Sequence, residues 1–317
     1  MVTASWIEKR KPYWTRLEEI TGRAGRRGIK TLSAGELQEI SLLYRQAATD
    51  LSTLREDSVS QRTAGYLNQL LARTHNLIYM GRRASPVGIA KFYLREFPQV
   101  FRRTLLYTGS ALIVFLGAAV AGFLVSLGDP SFQRFFLGPA MSDTIERRHM
   151  WTQSVLTIKP LASSFIMTNN MSVSFSMFAS GITAGVGTAY MLVTNGLLFG
   201  VILAACWQAG MLSQLLSFVA PHGVLELPAV FIAGGGGLLV ARGLLFPGSL
   251  PRRQALVHYG GMGVQLALGI IPILIVAGSI EGFISPSAVS LPVKCAVSAV
   301  CAIMLALYLS QGGREST

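Results

Sequence analysis

Charge is what this chain has least of. Aspartate, glutamate, lysine and arginine make up 13% of its 317 residues, about half of the roughly 25% usual in soluble domains. That shortage excludes an ordinary water-facing surface over the whole length. It is also localised: from Pro160 to Gly313 the charged residues are Glu226, Arg242, Arg252, Arg253, Glu281 and Lys294. Cysteine is scarcer still. Cys206, Cys295 and Cys301 fall in apolar stretches without CxxC spacing, which argues against a disulfide framework or a cysteine zinc site and reads them as small core residues. Catalytic signatures are missing as well. The chain has neither HExxH nor GxSxG, its remaining histidines His75, His149 and His258 lack ligand spacing, and the run Gly234 to Gly237 is not followed by the lysine and Ser/Thr of a phosphate loop. We therefore expect no enzyme, no cofactor and no metal, with an intramembrane hydrolase built on His222 and Glu226 as the one catalytic reading left open.

Apolar residues fill the space that charge leaves. They make up 51% of the chain, and the mean hydropathy is +0.49. The charge that is present is uneven: residues 1–103 hold 18 of the 27 Lys+Arg and 9 of the 15 Asp+Glu, a local net charge of +9 out of +12. A basic segment directly ahead of the first apolar stretch reads as a cytoplasmic, lipid-facing domain, and nucleic acid is not expected as a partner. The opening MVTASWIEKRKPYWTRLEE has no apolar core, so the first span is expected to act as insertion signal.

Residues 1–100 carry the period of amphipathic helices. Ser33-Ala34-Gly35-Glu36 has capping-box spacing, and Leu37, Ile40, Leu43, Tyr44, Ala47, Leu51 and Leu54 follow at helical intervals. A further helix is predicted from about Arg62 to Met80, broken by residues 81–86; together these imply a small helical hairpin packing on itself or on the membrane face. IAKFYLREFPQVFRRTLL, residues 89–106, interleaves aromatics with Lys91, Arg95, Arg102 and Arg103, the composition of an interfacial helix in contact with the membrane surface.

Five or six apolar stretches then follow, each set against the roughly 20 residues that a spanning helix needs: Thr104–Leu127, about Leu161–Tyr190, about Leu192–Phe218, about Val224–Leu244, His258–Ile280 and Ala288–Leu309. Between the second and third a tight turn at Asn195-Gly196 is predicted. The fold class is thus all-α, a polytopic transmembrane helical bundle of about six spans (104–310) preceded by a basic cytoplasmic helical domain (1–103). Arg242, Arg252 and Arg253 make the loop 241–257 basic, so the positive-inside rule sets both termini in the cytoplasm and the segment 128–160 outside, where DTIERRHMWTQSVLTIK reads as an amphipathic surface helix. Gly181 and Gly185, Gly196 and Gly200, and the run Gly234 to Gly237 read as surfaces for close helix packing.

One stretch conflicts with its surroundings. PHGVLELPA, residues 221–229, puts His222 and Glu226 four apart, and hence on one helix face, inside the most apolar half of the chain. Pro221 fits the first turn of such a helix. A charge in hydrocarbon costs from about 2.5 kcal/mol upward, so Glu226 is expected to face the bundle interior. Asn169 and Asn170 approach the same end in the second span, whereas Asn195 belongs at the opposite end. The box of His222, Glu226, Asn169, Asn170, Asn195, Gly196, Pro221 and Gly223 reads either as a hydrogen-bonded polar plug that fixes helix register or as a pathway for a substrate, ion or proton.

The double asparagine in TNNMSVSFSMFASGITAGVGTAYMLVTNGLLFG (168–200), its later Asn-Gly, and the P-H-G-x-x-E box of PHGVLELPAVFIAGGGG (221–237) resemble, in that order, the stage II sporulation protein M family of integral membrane proteins. The likeness is densest over 160–240. It implies a bacterial plasma-membrane location and a role as membrane anchor of a complex that remodels peptidoglycan. Relatives outside sporulation are often encoded beside a MoxR-type ATPase, and the long basic region here departs from the short sporulation members. The resulting expectation is a non-catalytic scaffold for envelope membrane proteins, with the lipid bilayer, a MoxR-type ATPase and further copies of the chain as partners. The alternative is a permease or export component with Glu226 and His222 on its pathway.

Overall fold

The computed structural model describes residues 3–27, 31–57, 60–79, 86–150 and 159–311, and among these the regular structure is helical, without a strand. The chain divides into two units, Met1–Pro86 and Val87–Thr317. The expected break over 81–85 and the 151–158 part of the amphipathic surface segment lie outside the described residues.

Three helices build the first unit: α1 (Ala4–Arg27), α2 (Ala34–Arg55) and α3 (Gln61–Tyr79). The capping box starts α2, with the Glu36 N–H donating to Ser33 Oγ at 3.2 Å and the Ser33 N–H to the Glu36 carboxylate at 2.9 Å. Of the residues picked out by helical spacing, Ile40, Leu43, Ala47, Leu51 and Leu54 are buried, where they meet Trp14, Leu17 and Ile20 of α1 and Leu67 and Leu70 of α3. The expected hairpin is therefore a three-helix unit, because α1 closes over the stripe that two helices leave open. The buried Asp50 is not orphaned: Trp14 Nε1–H donates to it at 2.9 Å and Arg10 lies 3.5 Å away.

Ion pairs dress the outside of this unit. Arg16 reaches Glu39 at 2.9 Å and Glu19 at 3.2 Å. Its hydrogen bond holds the Glu39 carboxyl below its ordinary value, and the same pairings push the guanidinium further up. Glu36 is also held low, first by the Ser33 backbone N–H and then by Arg23. Near the other end, burial and a hydrogen bond to Glu18 raise the Tyr66 phenol to about 12.

In the second unit, α4 (Pro86–Lys91), a π turn (Phe92–Glu96) and α5 (Phe97–Arg103) make helical the segment that the sequence reading expects at the membrane surface. Lys91, Arg95, Arg102 and Arg103 are all exposed on it. Its apolar side is anchored by Phe97, which is fully buried and lies where any side chain on Gly269 would stand. There follow α6 (Leu105–Gly128), α7 (Pro130–Glu146), α8 (Lys159–Ala179), α9 (Val186–Gln208), α10 (Leu212–Leu245), α11 (Arg252–Gly269), α12 (Ile271–Phe283) and α13 (Leu291–Ser310). Among the described residues five helices are long and apolar enough to cross a membrane: α6, α9, α10, α11 with α12 taken together, and α13. The second of the expected spans falls on α8, which is not among these five, because Asn169, Asn170 and its serines make it too polar.

Three predicted boundaries shift. The turn between the second and third spans is not at Asn195-Gly196 but at a short 3₁₀ segment, Ser180–Thr183, followed by Ala184 at φ 56° and Gly185 at φ 85°. Two left-handed residues in a row reverse the chain there, and Thr183 Oγ1 accepts the Gly187 N–H at 2.8 Å to start α9. Asn195 and Gly196 consequently sit inside α9. The third span ends at Gln208, where Gly210 turns the chain at φ 70°. From Met211 a single helix continues to Leu245, so Pro221 lies well inside α10 instead of in a first turn.

At 34 residues, about 51 Å at 1.5 Å per residue, α10 exceeds the roughly 30 Å hydrocarbon layer and serves as the hub of the unit, packed against α6, α8, α11, α12 and α13. Its four glycines explain how. Gly234 abuts Ala111 and Leu192, Gly235 Thr108, Gly236 Gly263 and Phe178, and Gly237 Met177 and Thr188, so successive residues face different neighbours all around the helix. Gly196 and Gly200 similarly let α9 lie against the α6 carbonyls of Phe115 and Ala119. Close backbone approach by small residues holds helices together where the lipid gives apolar burial little advantage.

Candidate functional site

Two helices bring three ionisable side chains together. His222 and Glu226 project from one face of α10, and Glu281 comes from the last turn of α12. One donor atom from each lies within 4.8 Å of the other two. His222 Nε2 stands 4.0 Å from a Glu226 oxygen and 3.9 Å from a Glu281 oxygen. These separations are too long for hydrogen bonds, which run from about 2.7 to 3.2 Å. The cluster is deep: His222 is 4% and Glu281 9% exposed. Glu281 Oε2 is buried with no hydrogen-bond partner among the described residues.

The imidazole is held from behind. His222 Nδ1 lies 2.9 Å from Ser285 Oγ, and the Phe218 ring stacks edgewise on it at 5.5 Å. Lys294, buried on α13, donates its Nζ to the Ser285 carbonyl at 2.6 Å and so fixes the turn after α12. Nε2 is thereby directed at the two carboxylates.

A cavity of about 230 Å³ opens onto the cluster, lined by Asn170, His222, Gly223, Glu226 and Glu281 among apolar side chains of α9 and α10. Phe218 belongs to this cavity and also to a second, more polar one of about 540 Å³ that reaches Ser285 and Lys294.

Of the predicted box, His222, Gly223, Glu226 and Asn170 thus gather at one place. Asn169 is exposed and does not line the cavity, and Pro221 is buried in the body of α10. Asn195 bonds back to the Met191 carbonyl at 2.7 Å within α9, and Gly196 serves the packing on α6. Glu281, Ser285 and Lys294 were missed. The signal for Glu281 was available, because a second carboxylate in an apolar stretch carries the same desolvation cost as Glu226 and has the same need of partners.

Long apolar helices around a buried ionisable cluster define a multi-pass membrane protein. Within that class the chain belongs to the stage II sporulation protein M family, whose model matches residues 111–286, more than half of the chain. The first unit matches separately, over residues 4–80, a domain of unknown function (DUF8413). An uncharacterized protein of Methanocaldococcus jannaschii is 28% identical over 124 residues, covering 38% of this chain and 69% of that relative. No solved structure matches the chain.

Proposed function

We propose that the membrane unit is a permease or export component, with His222, Glu226 and Glu281 on the path of the species it handles. The observation that supports this reading is the cavity. Polar groups that only fixed helix register would be closed off in mutual hydrogen bonds, whereas these are spaced beyond hydrogen-bond reach and border a void of about 230 Å³. The location that goes with it is the bacterial plasma membrane, with both termini in the cytoplasm and the basic first unit available to anionic lipid and to a cytoplasmic ATPase of MoxR type.

The scaffold reading retains one support. The first unit has its own core and its own family match, as a docking module for envelope proteins or for further copies of the chain would. One experiment separates the two. The full chain is reconstituted in proteoliposomes with entrapped pyranine or a fluorescent chelator, and proton and divalent-cation entry are followed for wild type and Glu226→Gln. Flux that falls at least tenfold in the variant upholds the pathway. Absence of wild-type flux, together with unchanged crosslinked envelope partners for the variant in membranes, favours the scaffold.

A further inference from the structure

We infer that His222, Glu226 and Glu281 form a binding site for one divalent transition-metal ion of the Zn²⁺ or Mn²⁺ kind. This deepens the pathway reading and rests on it only for what the ion does, not for whether it binds.

Four observations converge. The donor set, one imidazole with two carboxylates, suits first-row divalent ions better than the all-oxygen shells preferred by Mg²⁺ and Ca²⁺. The spacing suits a central cation: with His222 Nε2 at 3.9 and 4.0 Å from the two carboxylate oxygens and those oxygens within 4.8 Å of each other, a point equidistant from all three lies no more than about 2.5 Å from each, so a contraction of a few tenths of an ångström reaches the roughly 2.0–2.2 Å of bonds to zinc. The same separations are too long for the groups to satisfy one another directly. Burial supplies the need. Two carboxylates held this close in a low-dielectric interior repel each other, and among the described residues their ion pairs are with His222 alone. Glu281 Oε2, in a residue 9% exposed, has no partner among those residues.

The support around the site has the form that metal sites require. A ligating imidazole is ordinarily oriented through its other nitrogen, and Ser285 Oγ meets His222 Nδ1 at 2.9 Å while Lys294 pins the Ser285 carbonyl. Three protein ligands with an adjoining cavity leave a coordination position open for water or a solute, as in sites where the ion is not purely structural. His222 and Glu226 sit on the continuous helix α10, but Glu281 is in the last turn of α12, so the third ligand is the one best able to adjust.

The test uses the full, untagged chain in detergent, stripped with EDTA and titrated with Zn²⁺, Mn²⁺ and, as control, Mg²⁺. Metal content is read by mass spectrometry and the thermal midpoint followed in parallel. The expected result is one Zn²⁺ or Mn²⁺ per chain with a saturable rise in midpoint. Glu281→Gln and Glu226→Gln should weaken binding by at least the 10–100-fold that loss of an outer-shell partner typically causes, and Ser285→Ala by about tenfold. Midpoints of the stripped variants, compared with stripped wild type, show whether each remains folded. Wild type that binds neither ion saturably, or a folded Glu281→Gln that binds as tightly as wild type, overturns the inference. Binding without any flux in proteoliposomes would uphold the metal and sink the pathway, and flux without binding would do the reverse.

Discussion

In the first unit Leu17, Ile20, Leu54, Leu67 and Leu70 are sealed inside, and arginines pair with glutamates on the outside. In the second, Ile113, Val186, Ile303 and Leu307 are 58–71% exposed, while His222, Glu281 and Lys294 are buried. Both units are helical and both bury apolar cores, yet the second also turns apolar side chains outward and encloses ionisable ones. Water drives the first inward, by roughly 25 cal/mol for each Å² of apolar surface removed from it. Hydrocarbon removes that drive and makes unpaired charge the costly feature, so the second unit coheres through glycine contacts and encloses its ionisable groups.

Glycine substitution should break the comparison most strongly. A Cβ at Gly200 would collide with the backbone of Ala119 and Phe123 on α6, whereas at Gly65 on α3 it would meet nothing within 4 Å. Gly200→Val should therefore destabilise the membrane unit by about 3 kcal/mol or more, since backbone cannot move aside as a side chain can, and Gly65→Ala should stabilise the first unit by about 0.5–1 kcal/mol. Thermal unfolding in detergent, with hydrogen exchange to assign each effect to its unit, checks both. Equal signs would mean that the two units pack by one rule.

Trimming a methyl is a gentler comparison. Ile40 is 1% and Ile303 58% exposed. Ile40→Val should cost about 0.5–1.5 kcal/mol, through lost burial and the cavity left behind. Ile303→Val should change almost nothing, because lipid chains make the same contacts as the missing methyl. Hydrogen exchange of peptides from α2 and α13 reads the two.

The smallest effect is pH dependence confined to the first unit. Glu36 and Glu39 are held below the ordinary value of 4.5 by the Ser33 N–H, Arg23 and Arg16. Their stabilising contribution is complete above that value and is lost as pH falls through the lowered folded-state values. Exchange in α2 should accelerate on acidification below about 4.5, and Arg16→Ala should flatten the response. Both carboxyls keep partial contact with water, so salt should weaken it too.

Much of this fold could be read from one-dimensional pattern. The box Ser33 to Glu36 and the spacing from Ile40 to Leu54 announced α2, and apolar length announced five of the six expected spans, because capping and burial periodicity are local properties of a helix. Boundaries inside the apolar half were less legible. Asn-Gly at 195–196 has turn chemistry, but within a bundle the same small residues serve helix approach, and the chain reverses instead at Ala184 and Gly185. Pro221 likewise looked like a helix start and stands in the interior of α10. A lost hydrogen bond there is tolerable where neighbouring helices surround the backbone.

For the candidate site, i,i+4 spacing on one helix put His222 beside Glu226 without help from the fold. The sequence alone determined the family, the helical class, the division into a basic and an apolar region, and this half of the cluster, since each depends on composition or on neighbours within a few residues. The tertiary structure decided that Glu281, 55 residues beyond Glu226, completes the cluster, that Ser285 orients the imidazole, and that Asn170 but not Asn169 or Asn195 faces the cavity. Those choices depend on how α8, α10 and α12 cross. That crossing is set by close contacts such as those of the α10 glycines and of Gly278 with Met167, whose partners lie far apart along the chain.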